Sequence, residues 1–195
     1  GKIILVAGRN KIVDGDSADA IRRIKAFASP PNCVRLNKQT PCAKTGSCAD
    51  CEHIAGELMK GFLLKRPLAQ KEKEALLNAG DDGRLGRTLQ RALPCLVLTG
   101  LPALSSAFLN DVEGAAAFAQ QAFAYVRKGD VLLAISTSGN SENVCLAAIA
   151  ARARGGRVIG LTGENGGKLA SFAEVSLKVP EKETCRVQEL HLPLY

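Results

Sequence analysis

The strongest chemical signal in the chain is the run Ser-Thr-Ser-Gly-Asn-Ser at residues 136–141. It follows an apolar stretch typical of a buried strand and precedes a helical pattern that starts at Glu142. A helix N-terminus after a parallel strand offers free backbone N–H groups and the positive end of the helix dipole. The sequence therefore predicts a phosphate site, although a β–α turn with one serine N-cap is the simpler alternative. Four hydroxyls would supply further donors to a phosphate: Ser136, Thr137, Ser138 and Ser141.

A histidine and a carboxylate stand one helical turn apart in residues 52–59. His53 and Glu57 occupy positions i and i+4 and so share one helix face. Such a pair is suited to binding a divalent metal or to acid–base catalysis. On spacing alone, an ordinary surface contact is the alternative. Near the other end, Gln188 and His191 are three apart on a helix predicted over residues 181–195, and this pair by itself indicates only a surface helix.

The chain has seven cysteines, four of them between residues 33 and 51. Cys33, Cys42, Cys48 and Cys51 are enough to hold zinc tetrahedrally, but only the last two have the Cys-x2-Cys spacing of a zinc site. Reduced thiols in a loop are the alternative. The odd count and the lack of a recognisable secretion signal predict a reducing, cytoplasmic location.

The elements that must hold these residues alternate between strands and helices. Alternation of this kind predicts an α/β fold, a three-layer α/β/α sandwich with a parallel sheet. Residues 67–92 are charged and helical with a glycine-rich break, which indicates a surface insertion. The apolar strand runs lie at residues 3–6, 95–98, 130–135, 157–161 and 175–179, with helices expected at 103–126, 142–154 and 168–173.

Composition narrows the functional classes. The net charge of +7 favours anionic ligands, although a solvated basic surface is the simpler interpretation. No basic run interleaved with aromatics occurs, so nucleic-acid binding is not expected. No apolar run is long enough for a membrane span.

From about Cys51 to Tyr195 the chain resembles the SIS (sugar isomerase) domain, in its phosphoheptose isomerase branch. The matching runs are residues 129–144, 160–163, 166–169 and 187–191, together with the helix Ala49–Leu58. The resemblance implies an aldose–ketose isomerase of sedoheptulose 7-phosphate that is usually a zinc-dependent homotetramer.

The resemblance also implies roles for individual residues. Ser136, Thr137 and Ser141 would hold the phosphate together with Ser47 from an earlier loop. His53, Glu57 and Gln188 would bind zinc, and Glu57 would also be the catalytic base. The family's second catalytic histidine would follow Tyr195, so little turnover is expected from residues 1–195 if that histidine is required.

Residues 1–50 resemble a fragment of a different family, the LUD (lactate utilisation) domain. The likeness rests on residues 6–13, the helix Ala18–Phe27 and the cysteine-containing run 40–51. We therefore expect a LUD-like segment at 1–50 and an SIS-type phosphosugar-binding domain at 51–195. Two other functions fit parts of the chain: a non-catalytic SIS-domain module that is regulatory or binds a protein, and a LUD-like role in lactate oxidation.

Overall fold

The computed structural model describes residues 3–7, 49–60 and 65–194. Five parallel strands form one sheet in the order β2-β1-β3-β4-β5. The strands are β1 Ile3–Ala7, β2 Cys95–Val97, β3 Val131–Ser136, β4 Arg157–Thr162 and β5 Val175–Lys178. The helices are α1 Ala49–Lys60, α2 Gln70–Asn78, α3 Arg84–Thr88, α4 Pro102–Asp111, α5 Ala117–Tyr125, α6 Glu142–Ala153, α7 Leu169–Phe172 and α8 Thr184–His191.

Helices cover both faces of the sheet because successive strand side chains point to opposite sides. Leu132 and Ala134 of β3 are fully buried in a cluster with residues of α5 and α6. Ile135, one position further on, lies in the opposite cluster with Ile54 and Ala55 of α1. The predicted three-layer α/β/α sandwich with a parallel sheet is confirmed.

The first strand is an interior strand of this sheet, next to the edge strand β2. β1 pairs in parallel with β2 on one side and with β3 on the other, with Ile3 opposite both Cys95 and Val131. Residues predicted to form a LUD-like segment thus supply a strand to the sheet that carries the SIS-like residues. The division of the chain at residue 50 stays a prediction.

Small side chains let α6 lie close to its neighbours. Ala147, Ala148 and Ala151 are completely buried, and α6 packs against both α5 and the sheet. Alanine at these positions allows the short distances between elements that a close-packed interior requires. This tight packing fixes the start of α6, which directly follows β3 and the hydroxyl-rich run.

The charged segment after α1 is helical with a glycine-containing break, as predicted, and its two helices form a hairpin. Its assignment as an insertion stays a prediction. α2 and α3 are joined by a turn in which Gly80 and Gly83 have positive φ angles of 105° and 88°. The segments before and after the hairpin are joined by a hydrogen bond in which the Arg91 N–H donates to the Arg66 carbonyl at 2.7 Å.

Asp81 caps the second helix of this hairpin. Its carboxylate accepts hydrogen bonds from the N–H groups of Leu85 at 3.0 Å and Gly86 at 3.1 Å. These bonds, that from Leu85 foremost, hold the pKa of Asp81 below its ordinary value. A carboxyl with a lowered folded-state pKa stabilises the fold above its unfolded pKa, and the contribution disappears as pH falls through the folded value.

We therefore expect Asp81→Asn to lower the melting temperature at pH 7 but not at a pH below the folded-state pKa. Thermal melts of both proteins between pH 7 and pH 2 measure this. A difference between the two proteins that persisted unchanged into strong acid would contradict an electrostatic cap.

Two predicted helices differ from the observed ones. The stretch 103–126 is divided into α4 and α5, joined by a short 3-10 turn at Gly114–Ala116. The division follows Asn110 and Asp111, which favour turns over helix interiors because their side chains bond to the nearby backbone. The terminal helix, predicted over 181–195, is shorter: α8 ends at His191 and a 3-10 turn follows at Leu192–Leu194.

Among the helices that the structure describes, we find none that combines the length and the apolar character needed to cross a membrane.

Candidate functional site

The hydroxyl-rich run, called the Ser/Thr loop (residues 136–141) from here on, lies at the carboxyl edge of the sheet. Ser136 is the last residue of β3, and Ser141 is the N-cap residue of α6. The two hydroxyl oxygens are 2.9 Å apart and hydrogen-bonded to each other. The Ser141 side chain makes no capping bond to the helix. The simpler interpretation, an ordinary serine N-cap, therefore does not account for this hydroxyl.

The remaining two hydroxyls of the loop differ from each other. The Thr137 Oγ1 atom is buried and has no hydrogen-bond partner among the residues that the structure describes. Native proteins rarely leave such a group unpaired, and the exceptions call for an explanation such as a ligand. The Ser138 hydroxyl accepts a bond from the Asn140 N–H at 3.1 Å and so helps to shape the turn.

A second loop, the glycine loop (residues 163–168), supports the Ser/Thr loop from the side. The Gly163 N–H donates to the Thr137 carbonyl at 2.9 Å, and the Leu169 N–H donates to the Gly139 carbonyl at 2.8 Å. The Asn140 side-chain oxygen accepts from the Lys168 N–H at 3.0 Å. The two loops form one hydrogen-bonded unit at the edge of the sheet.

Glycines allow this close approach. Gly139, Gly166 and Gly167 have positive φ angles of 66°, 72° and 54°. A Cβ atom on Gly139 would overlap the Gly166 carbonyl, and one on Gly167 would lie 2.5 Å from the Ser138 carbonyl oxygen. Neither position has room for a side chain, because backbone fills the space. The dependence of one loop on the other is a feature that the sequence analysis missed.

The predicted acid–base helix is α1, and its apolar stripe places it near the Ser/Thr loop. Ile54 and Ala55 pack against Ile135, the residue immediately before Ser136. Glu57 is half-buried, and among the described side chains its carboxylate has one ion pair, a long one of 3.9 Å to Lys60. His53 lies one turn before Glu57 on the same helix, but the position of its side chain lies outside what the structure describes, and so does all of Ser47.

The helix α8 is not simply a surface helix. Val187 is fully buried and His191 is 1% exposed, whereas Gln188 is exposed. The expectation that Gln188 and His191 occupy one solvent-facing side is wrong: residues four apart, Val187 and His191, form the buried stripe. Gln188 lies beside that stripe and keeps its amide in solvent.

Within residues 49–60 and 65–194 no three His, Cys, Asp or Glu side chains with described positions converge as a metal site. The Gln188 amide and the His53 ring are not among these side chains. The candidate zinc ligands His53, Glu57 and Gln188 thus stay predictions. Cys33, Cys42 and Cys48 lie outside the described residues, and the side chain of Cys51 does too.

Three cysteines with described side chains are free thiols: Cys95, Cys145 and Cys185. Cys145 is buried, and its Sγ lies 3.8 Å from the Gly139 carbonyl, which it donates to. Burial is the main factor that raises the pKa of this thiol, although the Lys168 charge opposes it. Cys145 therefore supports the Ser/Thr loop as a neutral donor from beneath.

Comparison with known proteins identifies two family patterns in the chain. The SIS domain pattern matches residues 103–191, and the LUD domain pattern matches residues 2–59. The SIS match includes both the Ser/Thr loop and the glycine loop.

Individual relatives agree with the SIS match. The chain is 36% identical over 159 residues to a phosphoheptose isomerase of Desulfovibrio desulfuricans, covering 82% of this chain and 64% of that protein. It is also 36% identical over 151 residues to a phosphoheptose isomerase of Rhodospirillum rubrum, covering 77% and 68%. The chain thus spans about two thirds of the length of these relatives.

Solved structures of phosphoheptose isomerases share the fold of this chain. A phosphoheptose isomerase from Neisseria gonorrhoeae superposes with a TM-score of 0.59 at 29% identity, covering 100% of this chain and 71% of that one. One from Francisella tularensis gives 0.58 at 26% identity, with coverages of 92% and 88%. By sequence likeness, fold and the loop at its carboxyl edge, the chain belongs to the phosphoheptose isomerase family of SIS domains.

Proposed function

We propose that this chain binds the phosphate of a sugar phosphate in the Ser/Thr loop and isomerises the sugar, with sedoheptulose 7-phosphate as substrate. The observation that carries the proposal is the buried Thr137 hydroxyl, which has no hydrogen-bond partner among the described residues. The Ser136 and Ser141 hydroxyls bond to each other, and Ser141 makes no capping bond to the helix. The loop also precedes the N-terminus of a 12-residue helix, where backbone N–H groups favour an anion. The relatives named phosphoheptose isomerase support the choice of sugar.

The proposed phosphate ligands are Ser136, Thr137, Ser138 and Ser141, with Ser47 from the segment before α1. Holding the phosphate at the sheet edge would place the sugar carbons toward α1, whose residue Ile54 packs beneath the end of β3. Fixing a substrate by a non-reacting group in this way lowers the entropic barrier of the chemical step.

The proposed base is Glu57. Aldose–ketose isomerisation removes a proton from the hydroxyl-bearing carbon next to the carbonyl, passes through an enediol, and returns a proton to the former carbonyl carbon. A second proton moves from the hydroxyl oxygen to the former carbonyl oxygen. A carboxylate suits both transfers at carbon because it can accept and then return one proton. Glu57 is half-buried, and its ion pair to Lys60, at 3.9 Å, is weak enough to leave the carboxylate available for this role.

The proposed cofactor is zinc, with His53, Glu57 and Gln188 as ligands. A ring nitrogen, a carboxylate and an amide oxygen are donors that zinc accepts, and the Gln188 side chain is exposed. Zinc bound there would polarise the sugar carbonyl. The proton transfers themselves are assigned to Glu57.

Glu57→Gln tests the enzyme assignment, because the amide keeps the shape of the side chain but cannot take up a proton. We expect turnover of sedoheptulose 7-phosphate with zinc to fall by about 10²-fold or more. Affinity for the sugar phosphate, measured by calorimetry, should change by less than about threefold. Glu52→Gln, which changes an exposed carboxylate on the same helix, is the matched control. It should retain both the turnover and the affinity for the sugar phosphate.

The same measurements separate the alternatives. A wild-type chain that binds the sugar phosphate but shows no turnover, and is indistinguishable from Glu57→Gln, would indicate a non-catalytic SIS binding module. That alternative requires the Ser/Thr loop but neither Glu57 nor Gln188. A wild-type chain that binds no sugar phosphate would contradict the proposal as a whole.

We also propose that the chain forms a homo-oligomer. Leu109 and Val112 at the end of α4 are 73% and 71% exposed, and Phe123 on α5 is 52% exposed. Apolar side chains this exposed and close in the sequence are typical of surfaces that a partner covers. A tetramer, as the resemblance implies, is the assembly to look for by light scattering.

A cytoplasmic location completes the proposal. Its support is the three free thiols among the described side chains, one of them exposed. Thiols persist in compartments with a reducing glutathione pool.

A further inference from the structure

His191 is the most deeply buried ionisable side chain whose position the structure describes outside the proposed catalytic set. Its ring is 1% exposed, and its Nε2 atom lies 3.2 Å from the Thr162 carbonyl oxygen. A carbonyl oxygen only accepts, so the ring must carry a proton on Nε2 and donate it. The same oxygen accepts the Val179 N–H at 3.0 Å, which uses both of its lone pairs.

Thr162 connects this histidine to the Ser/Thr loop. It is the last residue of β4 and is fully buried, and its hydroxyl donates to the Gly163 carbonyl at 3.1 Å. The Gly163 N–H in turn donates to the Thr137 carbonyl at 2.9 Å. Two consecutive residues thus link His191 on α8 with Thr137, whose hydroxyl lacks a partner within the described part of the chain.

The buried face of α8, formed by Val187 and His191, also packs against Gly163. A Cβ atom on Gly163 would lie 3.1 Å from the Val187 side chain and 2.8 Å from the Glu181 carbonyl oxygen, so the helix rests directly on this glycine. Val187 and His191 are the two buried residues of α8, and Gln188 follows Val187. Any shift of His191 therefore moves Gln188 and the Thr162–Gly163 corner together.

We propose that His191 is a positioning residue that sets the Ser/Thr loop and the Gln188-bearing helix at a fixed distance from each other. The inference rests on the proposed function, since it concerns the geometry of that same site. His191 has no role in proton transfer in this scheme. It acts through the Thr162 carbonyl, and its effect on the ligand passes through Gly163 and Thr137.

The test compares three variants of the full chain. His191→Gln keeps an N–H donor near the position of Nε2, whereas His191→Leu fills similar space without a donor. Val126→Ala, a fully buried residue at the end of α5, before β3 begins, is a control for general loss of stability. The readouts are the dissociation constant for inorganic phosphate by calorimetry and the hydrogen exchange rate of the Gly163 amide by NMR.

We expect His191→Leu to weaken phosphate binding about tenfold and to speed Gly163 exchange more than global unfolding explains. His191→Gln should recover most of both losses, and Val126→Ala should leave phosphate affinity unchanged. If His191→Leu fails to fold, Val187→Ala loosens the same contact on Gly163 and should change both readouts in the same direction.

Two outcomes would overturn the inference: equal phosphate affinity in the leucine variant and the wild type, or a glutamine variant as impaired as the leucine variant. A wild-type chain that binds neither phosphate nor its sugar ester would instead count against the proposed function. In that case the Gly163 exchange rates still decide whether His191 holds the loop.

Discussion

Replacing Ser136 and Ser141 together with alanine should abolish the stabilisation of this chain by sedoheptulose 7-phosphate without unfolding it. The wild type, at a ligand concentration about 100 times Kd, should gain roughly 2.7 kcal/mol in free energy of unfolding. For a chain of this size that corresponds to a rise in melting temperature of about 5–10 °C. The double variant should show no rise.

The two serines must be replaced together because their hydroxyls bond to each other at 2.9 Å. Either single replacement would leave the other oxygen without its partner, which by itself costs about 1–3 kcal/mol when the group is buried. Ser136 is 3% exposed, so this penalty would apply to Ser141→Ala. Removing both partners leaves no orphaned group, and the unliganded melting temperature is expected to change little.

Thermal shift with matched ligands measures the effect. Unphosphorylated sedoheptulose should not stabilise the wild type, which would show that the phosphate is the group recognised. Thr88→Ala is the control variant, because its hydroxyl also bonds within the protein, to the Arg84 carbonyl at 2.8 Å, but in the α2–α3 hairpin. Equal ligand-induced shifts in the wild type and the double serine variant would mean that this loop is not the phosphate site.

The sheet and the Ser/Thr loop were predictable from the sequence because both arise from local patterns. Residues 131–136 combine an apolar strand with hydroxyls at its carboxyl end, and that order alone places the hydroxyls at the sheet edge. The hairpin at residues 70–88 was predictable for a similar reason, since charged helical residues flank glycines that break them.

Contacts between distant segments could not be predicted in this way. Gly139 and Gly166 are 27 positions apart, and nothing in either run indicates that their backbones touch. The burial of His191 likewise depends on how α8 lies on the end of β4, which the spacing of Gln188 and His191 does not reveal. Because these contacts decide the shape of the Ser/Thr loop, its residue types were predictable but its supports were not.

Gly139→Ala should have the largest effect on stability of any methyl addition in the Ser/Thr loop. Gly139 has a φ angle of 66°, a conformation that costs a residue with a side chain about 1–2 kcal/mol. Its Cβ would also overlap the Gly166 carbonyl and lie 2.8 Å from the Gly167 nitrogen. These atoms are backbone, and they cannot move without breaking the bonds between the two loops.

Gly129→Ala separates the cost of backbone strain from the cost of steric overlap. Gly129 precedes β3 with a φ angle of 91°, and a Cβ there would have no atom within 4 Å. The control therefore carries the strain of a positive φ but no overlap. We expect about 1–2 kcal/mol of destabilisation from Gly129→Ala and at least about 3 kcal/mol from Gly139→Ala.

Chemical denaturation of both variants, with and without sedoheptulose 7-phosphate, measures the difference. Overlap with the glycine loop must force the two loops apart, so Gly139→Ala should lose ligand stabilisation as well as intrinsic stability. Gly129→Ala, at the opposite end of β3 from the Ser/Thr loop, should keep the full ligand effect. Equal destabilisation by the two substitutions would mean that the glycine loop shifts to make room for the new methyl group at no cost in free energy. The phosphate site would then owe its shape to the β3–α6 connection alone, and the interlocked glycines would be incidental to binding.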